Sequence, residues 1–286
     1  MLAADDLAAY LARLGVDPEP PSAEALDRLH RAHVERVPYE TAWIHMGERW
    51  GVDSAVSAQR IARTGRGGYC FHLNGGLSEL LVALGYEVRL HRGGVHGPAG
   101  TDLEVLGNHL VLTVHGLPHD TNPSGDWFVD AGLGDALHEP MPLVAGEYAH
   151  GPFRYVFAPD ELVDGWHLTH DPRGSFPGMA FRGDTASIDD FAGWNEHLST
   201  SPDSGFVKTF VVQRRDAMGA DMLRGLRLRR LEHEWIERDL TSKDEWLDAI
   251  ADVFGLDLRR AGDDAARAAL WERVKASHDA WLASQA

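Results

Sequence analysis

The segment Arg66-Gly67-Gly68-Tyr69-Cys70-Phe71-His72-Leu73-Asn74 places the one cysteine of the chain just after two glycines, at the start of an apolar-periodic run. Leu73, Leu77, Leu80, Leu81 and Leu84 form the stripe of a helix from about Cys70 to Leu84, closed by Gly85. Cys70 then falls in the first turn, where unpaired backbone N–H groups and the helix dipole concentrate positive potential. A free thiol has a pKa of about 8.5, and a helix N-terminus or a cationic neighbour favours the thiolate. The same N–H groups suit an oxyanion formed when sulfur attacks a carbonyl. A lone cysteine is as readily a small buried apolar residue, but a core-filling side chain needs no two-glycine turn ahead of it.

A thiolate nucleophile needs a base, and the base needs an orienting group. His109 opens a β-rich run, His109-Leu110-Val111-Leu112-Thr113-Val114, and Asp130 ends another, Trp127-Phe128-Val129-Asp130. If these strands pair, imidazole and carboxylate lie side by side. An aspartate between Val129 and Ala131 is expected to be partly buried and in need of a hydrogen-bond partner. With 16 histidines in the chain, spacing alone does not single out His109.

The elements that must position these groups change in kind along the chain. Leu7, Tyr10, Leu11 and Leu14 share a helical face, and Pro18, Pro20 and Pro21 end that stretch. Ser22 caps a second helix bearing Leu26, Leu29, His30, His33 and Val37, stopped at Pro38; a third covers about 56–63. From Tyr86 the period becomes two, with strands near 87–91, 109–114, 127–130, 153–157, 164–170 and 206–214. Helical character returns at 187–197 and from about 243 to the end. The expected class is α+β: helices first, then an antiparallel sheet or barrel, then a mixed tail.

Composition narrows the function. The 286 residues, 44% hydrophobic and 25% charged, suffice for a substantial core and exclude global disorder. A formal charge of −17 (27 Lys+Arg, 44 Asp+Glu) repels phosphate backbones, so no nucleic-acid partner is expected. There is no apolar run of membrane-spanning length, no secretory signal at the start, and with one cysteine no internal disulfide, so a cytoplasmic location is expected. His115 and His119 flank Gly116 and Pro118 and read as a turn, so no metal is expected.

The motif Arg-Gly-Gly-Tyr-Cys-Phe-X-Leu-Asn, followed by Leu80-Leu81-Val82-Ala83-Leu84-Gly85-Tyr86, resembles the active-site signature of arylamine N-acetyltransferases. Val37-Pro38-Tyr39-Glu40 is similar to that family's Pro-Phe-Glu-Asn segment, and Asn108-His109-Leu110-Val111-Leu112 to its His strand. Val129-Asp130-Ala131-Gly132-Leu133-Gly134 resembles its Val-Asp-Val-Gly-Phe-Gly loop, and Ser201-Pro202-Asp203-Ser204-Gly205-Phe206 its Ser-Pro-X-Ser-X-Phe segment. The resemblance implies a three-part fold: a helical bundle over 1–85 carrying the nucleophile, a central antiparallel β-barrel over 86–200 carrying His and Asp, and a C-terminal α/β lid over 201–286. It also implies a catalytic triad at Cys70, His109 and Asp130. It implies ping-pong transfer of an acetyl group from acetyl-CoA, through a cysteine thioester, to an arylamine, arylhydrazine or N-hydroxyarylamine.

It further implies an acceptor pocket at Tyr39 and Leu133, with Phe206 a candidate by position. CoA phosphates would approach the amides of Gly132 and Gly134, and His233 and Trp235 fall where the lid nears CoA. The chain departs from the family pattern at several places. His72 stands where Glu is usual, Thr41 replaces the Asn after Glu40, Tyr39 replaces Phe, and Leu133 replaces a Phe ring. An altered pocket leaves room for an amide synthase of the same superfamily, taking a larger acyl chain from CoA or an acyl carrier protein, and for a ligand-binding relative without catalysis. A monomer or a homodimer is expected.

Overall fold

The computed structural model describes residues 2–260 and 262–285. Its first part is helical: α1 (Ala4–Leu14), α2 (Ala23–Arg36), the two-residue strand β1 (Tyr39–Glu40), α3 (Ala42–His45), α4 (Ser54–Thr64) and α5 (Cys70–Ala83). Ser22 caps α2, its Oγ accepting from Ala25 N, as its position before the helix leads one to expect. α5 is buried nearly all round, with Phe71, Leu73, Leu77, Leu80 and Leu81 in the largest core cluster. A helix apolar on every side must lie at the centre of its bundle.

The chain continues through β2 (Glu87–His96), β3 (His109–His115), β4 (Trp127–Val129), β5 (Met141–Pro142), β6 (Gly146–His150), β7 (Phe153–Asp160), β8 (Gly165–Thr169) and β9 (Gly178–Arg182). All eight form one antiparallel sheet, ordered β5-β4-β3-β2-β9-β8-β7-β6. Its two edge strands, β5 and β6, are consecutive in the chain and only residues 143–145 join them, so the sheet curls into a nearly closed barrel-like layer. Stacked Phe128, Phe157 and Phe181 fill its inside.

After α6 (Ala192–Thr200) and α7 (Gly205–Lys208) come β10 (Val211–Asp216), β11 (Gly219–Arg224), β12 (Arg227–Leu231), β13 (Trp235–Asp239), α8 (Lys243–Phe254) and α9 (Asp264–Gln285). The second sheet, β1-β10-β11-β12-β13, recruits Tyr39 and Glu40 from the helical region. The strand expected over 206–214 begins later, at Val211. Ser204 Oγ accepts from Phe206 N at 3.1 Å and starts the short helix α7 in its place. The helix expected from 243 onward is two helices, because Gly255, at φ 68°, closes α8 and turns the chain. β12 and β13 escape a hydrophobic-alternation search because charges hold them together. Arg227 and Arg229 lie opposite Asp239 and Glu237 and pair with them at 2.7 and 2.8 Å.

Candidate active site

Two glycines bring the chain to Cys70. A Cβ on Gly67 would lie 2.0 Å from the Pro38 carbonyl, and Gly68 has φ 77°, which a side chain disfavours. Glu40 N donates to Gly68 O at 2.8 Å, tying β1 to this turn. Cys70 is the first residue of α5 and is 4% exposed. Its thiol points at Asn108 O, 3.7 Å away, and faces the His109 imidazole.

β3 and β4 pair antiparallel, Leu112 opposite Val129, and this places His109 and Asp130 together. His109 Nε2 donates to Asp130 Oδ2 at 2.7 Å, with both side chains buried. Three further bonds fix the carboxylate and its loop. Asp130 Oδ1 accepts from Asn74 Nδ2 at 2.7 Å and from Gly132 N at 2.9 Å, and Ala131 N donates to Asn74 Oδ1 at 2.9 Å. Asn74 lies four residues after Cys70, on the same face of α5. One helix face therefore presents the sulfur and the clamp on the carboxylate. Asn74 is a positioning residue that no charge or motif chemistry singled out; its i, i+4 spacing from Cys70 was the available signal.

Burial works against a charged His109, but the Asp130 carboxylate, by attraction and hydrogen bond, and then Cys70 outweigh it. They push the imidazole up to about 10. The folded value lies above the ordinary one of about 6.5, so the contribution to stability is full below about pH 6.5 and is lost as pH rises through about 10. The free energy of unfolding should therefore fall between pH 7 and 10 in denaturant titrations, and His109→Gln should flatten that slope. An equally steep slope in the variant would rule the assignment out.

Gly132 sits against Cys70: a Cβ there would lie 2.7 Å from Cys70 Cα and 3.0 Å from Asn74 Nδ2. Gly132→Ala therefore shifts Cys70 against its partners. Thiol alkylation and acyl transfer should both drop about tenfold to a hundredfold at unchanged secondary structure, as expected for displacements near 1 Å. Wild-type rates in the variant would refute the close packing.

The turn is anchored by a charge cluster. Arg66 Nε donates to the fully buried Glu40 at 3.0 Å, and Nη1 to Glu48 at 3.3 Å. Burial disfavours the Arg66 charge, yet Glu40 and then Glu48 outweigh it and raise the Arg66 pKa. His72 turns away from Cys70, as its spacing requires. Its Nδ1 accepts from Tyr69 N at 3.4 Å, its Nε2 donates to Gly51 O at 3.2 Å, and its ring stands edge-on to Trp43 and Trp50. Burial, then the charge of Arg60, hold its pKa well below the ordinary range. His72 is thus a neutral hydrogen-bonding link between the start of α5 and Gly51. Among the described residues, no group of three or more His, Cys, Asp or Glu side chains is placed to hold a metal ion, and no helix is long and apolar enough to cross a membrane.

A family model described as N-acetyltransferase matches residues 22–262. The arylamine N-acetyltransferase of Mycolicibacterium smegmatis is 32% identical over 277 residues, covering 92% of this chain and 94% of that protein. The chain belongs to the arylamine N-acetyltransferase family. A chicken (Gallus gallus) relative, the pineal gland isozyme NAT-3 arylamine N-acetyltransferase, is 30% identical over 257 residues, covering 80% of this chain and 84% of its own. The solved Mycobacterium marinum arylamine N-acetyltransferase in complex with CoA superposes with a TM-score of 0.82 at 25% identity, over 94% of this chain and 98% of that one. The architecture is the arylamine N-acetyltransferase fold.

Relative to that fold, the sequence-derived positions fall as follows. Tyr39, Cys70, His109, Gly132, Leu133 and Phe206 all line one cavity of about 310 Å³. Asp130 lies behind His109, out of the cavity. Phe206 packs between Tyr39 and Tyr69, with ring centroids 6.2 and 5.5 Å away. Burial, then Cys70, raise the Tyr39 hydroxyl well above its usual pKa, keeping it neutral beside the sulfur. Gly134 and Trp235 are not in this cavity wall. Gly134, at φ 63°, lies against the Gln213 side chain, and Trp235 packs on the barrel core. Val95, Phe176, Gln213 and Arg224 also belong to the wall; none was singled out beforehand, because each arrives from a different element.

Proposed function

We infer that this family member transfers an acyl group from a CoA thioester to an aromatic amine through a thioester on Cys70. The arrangement that carries this reading is Cys70 facing an imidazole whose other nitrogen is held by a buried carboxylate at 2.7 Å. His109, raised to about 10, takes the thiol proton and stands as an imidazolium beside the sulfur. Sulfur attacks the donor carbonyl, forming the S–C bond. The first-turn amides of α5 receive the oxyanion. As the C–S bond to CoA breaks, His109 returns the proton to the departing thiol. The amine then attacks the acyl-cysteine, loses its proton to His109, and the acyl–sulfur bond breaks to release the amide. Asp130 holds the ring in one tautomer and stabilises its cationic form throughout. The cavity beside Cys70, walled by Tyr39, Leu133 and Phe206, suits a flat aromatic acceptor. CoA named as the ligand of the Mycobacterium marinum relative supports a CoA thioester as donor.

Intact-protein mass spectrometry after exposure to a panel of acyl thioesters tests this. Acetyl-CoA should add the mass of one acetyl group to the Cys70 peptide, and a later aromatic amine should remove it. Acylation by a carrier-bound long chain, with no reaction from acetyl-CoA, would replace the donor by that of an amide synthase. No acylation by any member of the panel would refute the reading.

A further inference from the structure

Arg224 ends β11, opposite Val211 of β10, and stands at the junction of two cavities. One is the cavity of Cys70 and His109; the other, of about 290 Å³, lies between β12 and α9 and is walled by Thr209, Arg227, Arg229, Ser277, His278 and Trp281. The neighbouring arginines are neutralised. Arg227 pairs with Asp239 at 2.7 Å, and Arg229 with Glu237 at 2.8 Å. Arg224 forms no hydrogen bond or ion pair among the described residues, and the one charge that acts on it is Arg229, of like sign. Partial desolvation and then that repulsion lower its pKa from the ordinary arginine value, although the residue is exposed. Three arginines therefore face two carboxylates, leaving one cationic charge in a protein whose net charge is −17. An uncompensated guanidinium held beside another cation, at the rim of a reaction cavity, is placed to take a phosphate.

We propose that Arg224 is a donor-specificity residue, its guanidinium binding the phosphates of the acyl donor where the cavity of Cys70 opens into the cavity beside α9. The thioester end then reaches Cys70 while the nucleotide end lies along Thr209, Ser277 and His278. This rests on the reading of Cys70 as an acceptor of CoA-borne acyl groups, and it adds a means of selecting CoA over thioesters that carry no phosphate. Phosphate recognition by one exposed arginine acts on binding, so its signature is in KM and in salt dependence rather than in the acyl-transfer step.

The test compares wild type, Arg224→Gln and Arg224→Lys in two measurements. The first is the rate of Cys70 acylation by acetyl-CoA divided by that by the phosphate-free thioester S-acetyl-N-acetylcysteamine. The second is equilibrium binding of CoA by calorimetry at low and high salt. For Arg224→Gln the rate ratio should drop about tenfold through KM, CoA affinity should weaken about tenfold with a shallower salt dependence, and Arg224→Lys should recover part of both. An unchanged ratio with unchanged CoA affinity overturns the proposal, as does an equal drop with both thioesters, which would mark a merely structural arginine. If wild-type Cys70 takes an acyl group from neither donor, the reading of the reaction fails, and calorimetry alone still decides for or against Arg224. 3′-Dephospho-CoA in the binding series separates the ribose phosphate from the pyrophosphate: an Arg224→Gln effect as large with it as with CoA assigns the contact to the pyrophosphate.

Discussion

Cys70→Ala should abolish the acyl adduct and lower amide formation by at least about 10⁴-fold, a loss in line with removal of the nucleophile from other covalent catalysts. Two features make this result clean. The chain has one cysteine, so any thiol label or thioester reports on residue 70 alone. The side chain is small, and the bonds among Asn74, Asp130 and His109 do not run through its sulfur, so truncation leaves them in place. Circular dichroism and melting temperature should change little, since deleting one small buried group costs on the order of 1 kcal/mol. An adduct that persists in Cys70→Ala, on a histidine or lysine, would remove the sulfur from the mechanism.

Asp130→Asn should lower the acylation rate about 10³- to 10⁴-fold while the protein stays folded. The hydrogen bonds around residue 130 decide which way an introduced amide points. Two donors, Asn74 Nδ2 and Gly132 N, approach Oδ1, so the carbonyl of an asparagine stays there and its NH₂ group takes the place of Oδ2. That group is a donor, and it meets His109 Nε2, which must then become an acceptor. The ring proton moves to the nitrogen facing Cys70, where it blocks acceptance of the thiol proton. Burial, no longer opposed by a carboxylate, also lowers the imidazole from its value of about 10. The variant should show the tautomer change in its imidazole ¹⁵N shifts and a displaced pH–rate profile. Wild-type rates with a wild-type profile would show that Asp130 does not act through His109.

Much of this site could be read from local chemistry. The glycine pair before Cys70, the apolar stripe that follows it, and the placement of His109 and Asp130 at strand ends are short-range features, set by backbone sterics and side-chain periodicity. In the structure His109 opens β3, while Asp130 lies one residue past the end of β4. The barrel-like sheet was less legible: β5, β6 and β9 are short or irregular in pattern and owe their pairing to neighbours far along the chain. β12 and β13 were hidden because opposed charges, Arg227 with Asp239 and Arg229 with Glu237, replace the apolar alternation that marks most strands.

The amino-acid order by itself determined the candidate nucleophile, its helix-start position, the two candidate partners and the family resemblance, because each depends on residue type and on spacings of a few positions. Only the tertiary structure decided that Asn74 clamps Asp130, that Tyr39 reaches the cavity through a strand pairing with Gln213 across more than half the chain, and that Arg224 is left without a partner among the described residues at the meeting of two cavities. The physical reason is range: a hydrogen bond or an uncompensated charge is settled by which atoms lie within a few ångströms, and that depends on how two sheets and a helical bundle close on one another.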